Sequence, residues 1–174
     1  MKALSLFLFL ITSTPLAMGQ DMPLLPTKTI TLENGSGGQW IVKSYNSDID
    51  HPTAPNRIKV YIKTPPNLLF DYPNGTASFN EVEVINLSKY PRPLLATRWT
   101  HGVNTVCLLI FDPSLKKKAY LTEFCSKDLD WKVKDDHIDI TEFDYGNDDN
   151  TPLVEMKSQW KPDDLIKVAP QDNP

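Results

Sequence analysis

Beyond its first twenty residues, this 174-residue chain contains no apolar run of the roughly 20 residues that a bilayer span requires, so no membrane span is expected there. Glycine is scarce, 7 residues against 15 prolines, and prolines at that density exclude long helices, because each lacks an amide donor and its ring clashes with the preceding turn. Histidine is limited to His51, His101 and His137, and none of them stands in a catalytic spacing. There is no G-x-S-x-G elbow to present a serine nucleophile; the nearest run, Gly35-Ser36-Gly37-Gly38, reads as a hairpin turn. Two cysteines are too few for a four-ligand zinc site, and no metal or other cofactor is expected. Basic charge is also short. With 18 basic against 22 acidic residues the net charge is −4, which argues against nucleic acid as a partner, since phosphates demand a basic surface. No internal repeat of fixed period is present, which argues against a propeller array.

What is present begins with an export layout. Met1-Lys2 supplies a short positive start, Ala3 to Ile11 is an apolar run, and Ala17 and Gly19 stand at small-residue spacing before Gln20. Residues 1–19 are therefore expected to be a cleavable signal peptide, with the protein periplasmic or secreted. Loss of Lys2 with that segment takes the net charge from −4 to about −5. Residues 20–160 then form one β domain and residues 161–174 a flexible, proline-bearing tail.

Export decides how Cys107 and Cys125 are read. Thiols that meet an oxidising milieu pair, and an even count leaves no thiol over. Asn104 to Phe111 (NTVCLLIF) and Tyr120 to Cys125 (YLTEFC) are β-rich runs on either side of the turn signal Asp112-Pro113-Ser114. Folded back about a centre near Lys116, the two cysteines are equidistant from the turn and meet on one face of a ribbon. A structural disulfide is expected rather than a catalytic thiol or a metal pair.

The rest of the chain reads as short strands. Thr27 to Leu32 and Gln39 to Tyr45 flank the turn cluster Asn34 to Gly38. In Arg57 to Lys63, Ile58, Val60 and Ile62 face one way, opposite a basic outer face. Thr64 to Gly75, with three prolines, reads as a loop from which Leu68-Leu69-Phe70 plugs into the core. Ser78 to Leu87 is a strand whose alternation slips at Ile85, implying a bulge or burial on both faces. Tyr90 to Pro93 is a turn or an edge and Leu94 to Thr100 a strand. Trp131 to Thr141 is a hairpin with Asp135-Asp136 at its tip, Trp131 and Val133 opposite Ile140 and Ile138, and Lys132 opposite Asp139. Asp144 to Pro152 is an acidic loop and Leu153 to Trp160 a last strand. The fold expected is all-β: a single-domain antiparallel β-sandwich or meandering barrel of about ten short strands with one disulfide.

The function is less legible. Acidic residues concentrate late in the chain, at Asp128, Asp130, Asp135, Asp136, Asp139, Glu142, Asp144, Asp148 and Asp149. Asp144, Asn147, Asp148 and Asn150 offer oxygen ligands suited to calcium, but not at EF-hand spacing. Small exported size, one staple and no catalytic constellation point to a non-enzymatic binding protein, of the periplasmic inhibitor or immunity type, that blocks a basic toxin or hydrolase. Asp135, Asp136, Asp139, Asp144, Asp148 and Asp149 are its expected contact residues, since charge of one sign steers a basic partner; a solvated surface is the plainer reading of the same residues. One alternative is a carbohydrate or cell-surface binding module using exposed aromatics, although Trp40, Trp99, Trp131 and Trp160, at strand positions, read better as core. The other is a hydrolase with paired carboxylates, whose spacing no sequence reveals. Three N-x-Ser/Thr sequons, at Asn34, Asn74 and Asn86, are close to chance number and carry no assignment.

Overall fold

A computed structural model of the chain describes residues 25–47, 55–145 and 152–162. The expected signal peptide, residues 1–19, and the tail after 162 lie outside the described residues. Eleven strands run in chain order: β1 (Lys28–Glu33), β2 (Gln39–Tyr45), β3 (Arg57–Ile62), β4 (Asn67–Pro73), β5 (Ser78–Ile85), β6 (Leu94–His101), β7 (Thr105–Phe111), β8 (Tyr120–Ser126), β9 (Asp128–Val133), β10 (Ile138–Tyr145) and β11 (Pro152–Trp160). They form three antiparallel meanders, β1-β2-β3-β4, β5-β6-β7-β8 and β9-β10-β11. All three sheets are open, so the chain is a sandwich and not a barrel.

The sandwich has three layers, because the central strands β6 and β7 of the middle sheet are covered on both faces. Leu95 and Trp99 of β6 and Cys107, Leu109 and Phe111 of β7 pack against Trp40, Val42, Ile58, Val60 and Phe70 of the first sheet. Leu94 and Ala96 of β6 and Leu108 and Ile110 of β7 point the other way, onto Leu129, Ile138, Ile140 and Trp160 of the third. An antiparallel strand with one wet face alternates; a strand covered twice has no polar side to show. The unbroken apolar run Val106 to Phe111 has that cause. Ile85 follows the same rule, buried toward the third sheet while Val82 and Val84 pack toward the first.

Local chemistry sets the hairpins. At the β1–β2 turn, Asn34 is buried and its Oδ1 accepts the amides of Ser36 (3.1 Å) and Gly38 (2.9 Å). Gly35 and Gly37 hold φ of +70° and +80°, which only glycine adopts without strain. Cys107 and Cys125 are direct partners in the β7–β8 register, Cα 4.2 Å apart, and form the expected disulfide. That spacing is close to the closer, non-hydrogen-bonded kind of antiparallel pair, in which side chains meet. In the chain-entropy model a bridge closing a loop of this length contributes about 3 kcal/mol. The β9–β10 hairpin has the expected register, Trp131 opposite Ile140, Val133 opposite Ile138 and Lys132 opposite Asp139.

Two expectations are corrected and one choice is resolved. Thr64 to Gly75 is not a loop: Asn67–Pro73 is β4, pairing β3 through a bulge at Val60/Tyr61. Pro65 and Pro66 fall in the turn before the strand, and Pro73 is its last residue, on an edge strand where a missing amide costs no inner ladder. Phe70 is buried and Leu69 packs on the core as expected, but Leu68 is exposed. Of the two readings at Ile85, burial on both faces holds, and the bulge of β5 lies instead between Phe79 and Glu81. The extra residue lets odd-numbered Phe79 and even-numbered Val82 and Val84 share one face. The acidic loop is also shorter than read, since Asp144 and Tyr145 belong to β10 and Pro152 to β11; residues 146–151 lie outside the described residues.

Candidate functional site: the acidic face of the third sheet

Alternation along β9, Asp-Leu-Asp-Trp-Lys-Val, turns Leu129 inward and Asp128, Asp130 and Lys132 outward. The ladders align these with Asp139, Thr141 and Phe143 of β10 and with Gln159, Lys157 and Glu155 of β11. The outer face of the third sheet thus carries Asp130, Asp139 and Glu155 around a half-buried Phe143, with Lys132, Lys157 and Lys134, the last 3.9 Å from Asp139, as its cations. Asp130, Asp139, Phe143, Glu155 and Lys157 line a shallow concavity of about 650 Å³ on it. Asp130 is exposed and its Oδ1 accepts the neighbouring Trp131 amide (2.9 Å). Asp139 accepts from His137 Nε2 and Gln159 Nε2, both at 3.1 Å. Glu155 is held by Lys157 at 2.9 Å.

The hairpin tip does something else. The Asp135 carbonyl accepts the Ser88 amide (2.7 Å), and its carboxylate accepts the Ser88 hydroxyl (2.9 Å). Asp136 pairs with Lys89 Nζ at 2.7 Å and with His137 Nδ1 at 2.6 Å. These contacts fasten the third sheet to the turn that follows β5. Of the six contact residues expected from the sequence, Asp139 lies on the outer face, and Asp135 and Asp136 are engaged within the molecule. Asp144 is in β10 opposite Val154; Asp148 and Asp149 lie outside the described residues. Asp130 and Glu155 are additional members of the face. The period-2 spacing of Asp128 and Asp130 was the signal that could have found part of it.

The Lys89 hydrogen bond first, then the one from His137, holds the Asp136 carboxyl well below the usual carboxylate range. A lowered folded value contributes stability that is present above the unfolded value, about pH 4, and is lost as pH falls below it. Lys89→Ala removes the main cause, so urea midpoints recorded from pH 5 to pH 2 should fall less steeply in the variant than in the natural chain. Equal slopes would reject the Lys89–Asp136 link.

At the rim, Arg98 of β6 joins the middle and third sheets. It donates to the Leu129 carbonyl (3.3 Å), lies 3.5 Å from Glu81 and 3.8 Å from Asp128, and sits over the Trp131 ring at 5.5 Å. The Trp131 indole donates to Glu83 at 2.6 Å. A cleft of about 250 Å³ opens among Glu81, Glu83, Asp130 and Trp131. Glu81 and Glu83 are exposed, and each already serves a neighbour. A general acid is made by shielding a carboxyl from water, and this cleft does not do so. Trp40, Trp99 and Trp160 are buried, as expected for core, and half-buried Trp131 has one face covered by Arg98. Among the described residues no helix is long and apolar enough to cross a membrane, and no cluster of His, Cys, Asp and Glu could hold a metal. Comparison with known proteins returns no matching family model, no matching curated protein and no matching solved structure.

Proposed function

We propose that this protein is an exported, non-enzymatic binding domain whose acidic third-sheet face receives a basic partner protein, in the manner of an inhibitor or immunity protein. The observation that carries the reading is the face itself: Asp130, Asp139 and Glu155 share one concavity around a half-buried Phe143. An apolar centre with a charged surround is the anatomy of a protein-binding surface. The carboxylates give steering and partner choice, while Phe143 and the carbon stems of Lys132 and Lys157 give contact area. Engagement of Asp135 and Asp136 with Ser88 and Lys89 supports a rigid face, because the sheet's far end is tied down. The disulfide fits a chain that meets an oxidising milieu, and the export layout of residues 1–19 points the same way. Acting by blocking a toxin or hydrolase requires no chemistry of its own, only occlusion.

The test is affinity capture from an extracytoplasmic extract of the source organism, with the natural chain and the triple variant Asp130→Asn, Asp139→Asn, Glu155→Gln as parallel baits. A basic protein should be retained by the first and lost from the second, and its association with the variant should be about tenfold slower at low salt, a gap that added salt closes. Capture of the same proteins by both baits would sink the face assignment.

A further inference from the structure

Away from the third-sheet concavity, β4 is an edge strand of the first sheet and β8 an edge strand of the middle one. The 3-10 helix Pro113–Lys118 bridges the two edges. Between them is a groove of about 430 Å³ lined by Leu68, Leu69, Phe70 and Tyr72 from β4 and by Ala119 and Tyr120. Tyr72 and Tyr120 stack at 5.6 Å, and Tyr72 meets the buried Phe111 edge-on at 5.0 Å. Leu68 and Tyr120 are 45% and 40% exposed, so the walls are open to a ligand rather than packed shut. Lys116 and Lys117 stand at the mouth, followed by Lys118; all three are exposed, and no carboxylate among the described residues pairs with them. The one acid in the lining, Asp71, is held by Arg57 at 3.1 Å and Lys59 at 3.8 Å.

Lys116 is the second observation. Its φ is +51°, the only positive φ among the described non-glycine residues. Glycine would take that conformation more easily, so a lysine there carries strain, and strain of this kind collects where a side chain must be aimed.

We infer that the groove binds a single-chain amphipathic anion, its apolar chain on Leu68, Leu69, Phe70 and the tyrosine pair and its carboxylate on the Lys116–Lys117 ammoniums. The volume lies in the range of small-molecule sites, which are mostly apolar with a few placed polar groups. Charge complementarity selects the head: three unpaired lysines favour an anion. Glu123 of β8 opposes it; burial first and the Glu123 charge second push the Tyr120 hydroxyl up, which places that carboxylate within electrostatic reach of the groove.

The probe is sodium dodecanoate, titrated calorimetrically into the full chain below its micellar concentration, beside dodecanol and dodecyltrimethylammonium as head-group controls and anionic phospholipid vesicles as a surface control. Dodecanoate should bind at one site, and each control amphiphile about tenfold more weakly, the share expected of a charge-assisted contact. Lys116→Gly should weaken dodecanoate about tenfold with an unchanged or raised melting temperature, because it relieves the strain while removing the charge. Glu123→Gln should tighten binding, and Leu68→Asp should abolish it with circular dichroism unchanged. Equal binding of dodecanol, undiminished affinity in Lys116→Gly, or association with vesicles but not with dodecanoate would each overturn the inference.

Discussion

Asp112→Ala is expected to lower stability by about 2–4 kcal/mol, the combined loss of a helix cap and of the acceptor for a buried hydroxyl. Asp112 is fully buried at the start of the 3-10 helix, immediately after β7. One carboxylate oxygen accepts the Ser114 amide at 2.8 Å and its hydroxyl at 2.5 Å; the other accepts the Tyr90 hydroxyl at 2.6 Å and meets Arg92 Nη2 at 3.0 Å. One side chain therefore caps the turn inside the disulfide loop and pins the proline-rich Tyr90–Pro93 turn to it. Alanine leaves a buried tyrosine hydroxyl without its acceptor and uncaps the helix, whereas Arg92, largely exposed, can recover water. Burial first, then the Asp112 hydrogen bond, pushes the Tyr90 hydroxyl up, as a phenol donating to a carboxylate requires. In urea unfolding, Asp112→Asn should lie between the natural chain and alanine, since it keeps an acceptor for Ser114 and loses the charge. A loss below about 1 kcal/mol for alanine would mean that the network is incidental.

Trp99→Ala should cost a similar amount, about 3–5 kcal/mol, for a different reason: the loss is volume. Trp99 is completely buried between the first and middle sheets, edge-on to Phe79 at 5.4 Å, and is the direct partner of Cys107 in the ladder. Its indole donates to Thr97 Oγ1 at 2.9 Å, and Thr97 in turn reaches the Leu109 carbonyl at 3.3 Å. Close-packed sheets on both sides leave little room for the cavity to collapse. At this chain length the expected fall in melting temperature is about 10 °C. Trp131→Ala is the control. Its ring is half-buried at the rim under Arg98, so the cost should be smaller by half or more. Equal losses at both positions would contradict the layering.

Most of the strand plan was legible because its causes are local. The turn chemistry of Asn34 to Gly38, the alternation in Arg57 to Lys63, and the symmetric placing of Cys107 and Cys125 act over a few residues or one hairpin. β4 was missed because Pro65, Pro66 and Pro73 together signal a loop, whereas the first two fall in the turn before the strand and the third at its end on a sheet edge. The site was half legible. Acidic enrichment is visible in composition, but composition does not separate Asp130 and Asp139, which share an open face, from Asp136, which is spent on Lys89.

The residues alone determined that the chain is helix-poor, stapled once and built of hairpins, because proline density, turn residues and period-2 alternation act between neighbours. Tertiary structure decided that three sheets stack with the central strands of the middle one covered on both sides, and that Asp135 and Asp136 close onto Ser88 and Lys89, 47 residues away in the chain. Contacts of that separation depend on which buried faces find each other. The pattern along a strand shows that a face is apolar but carries no information about what will cover it.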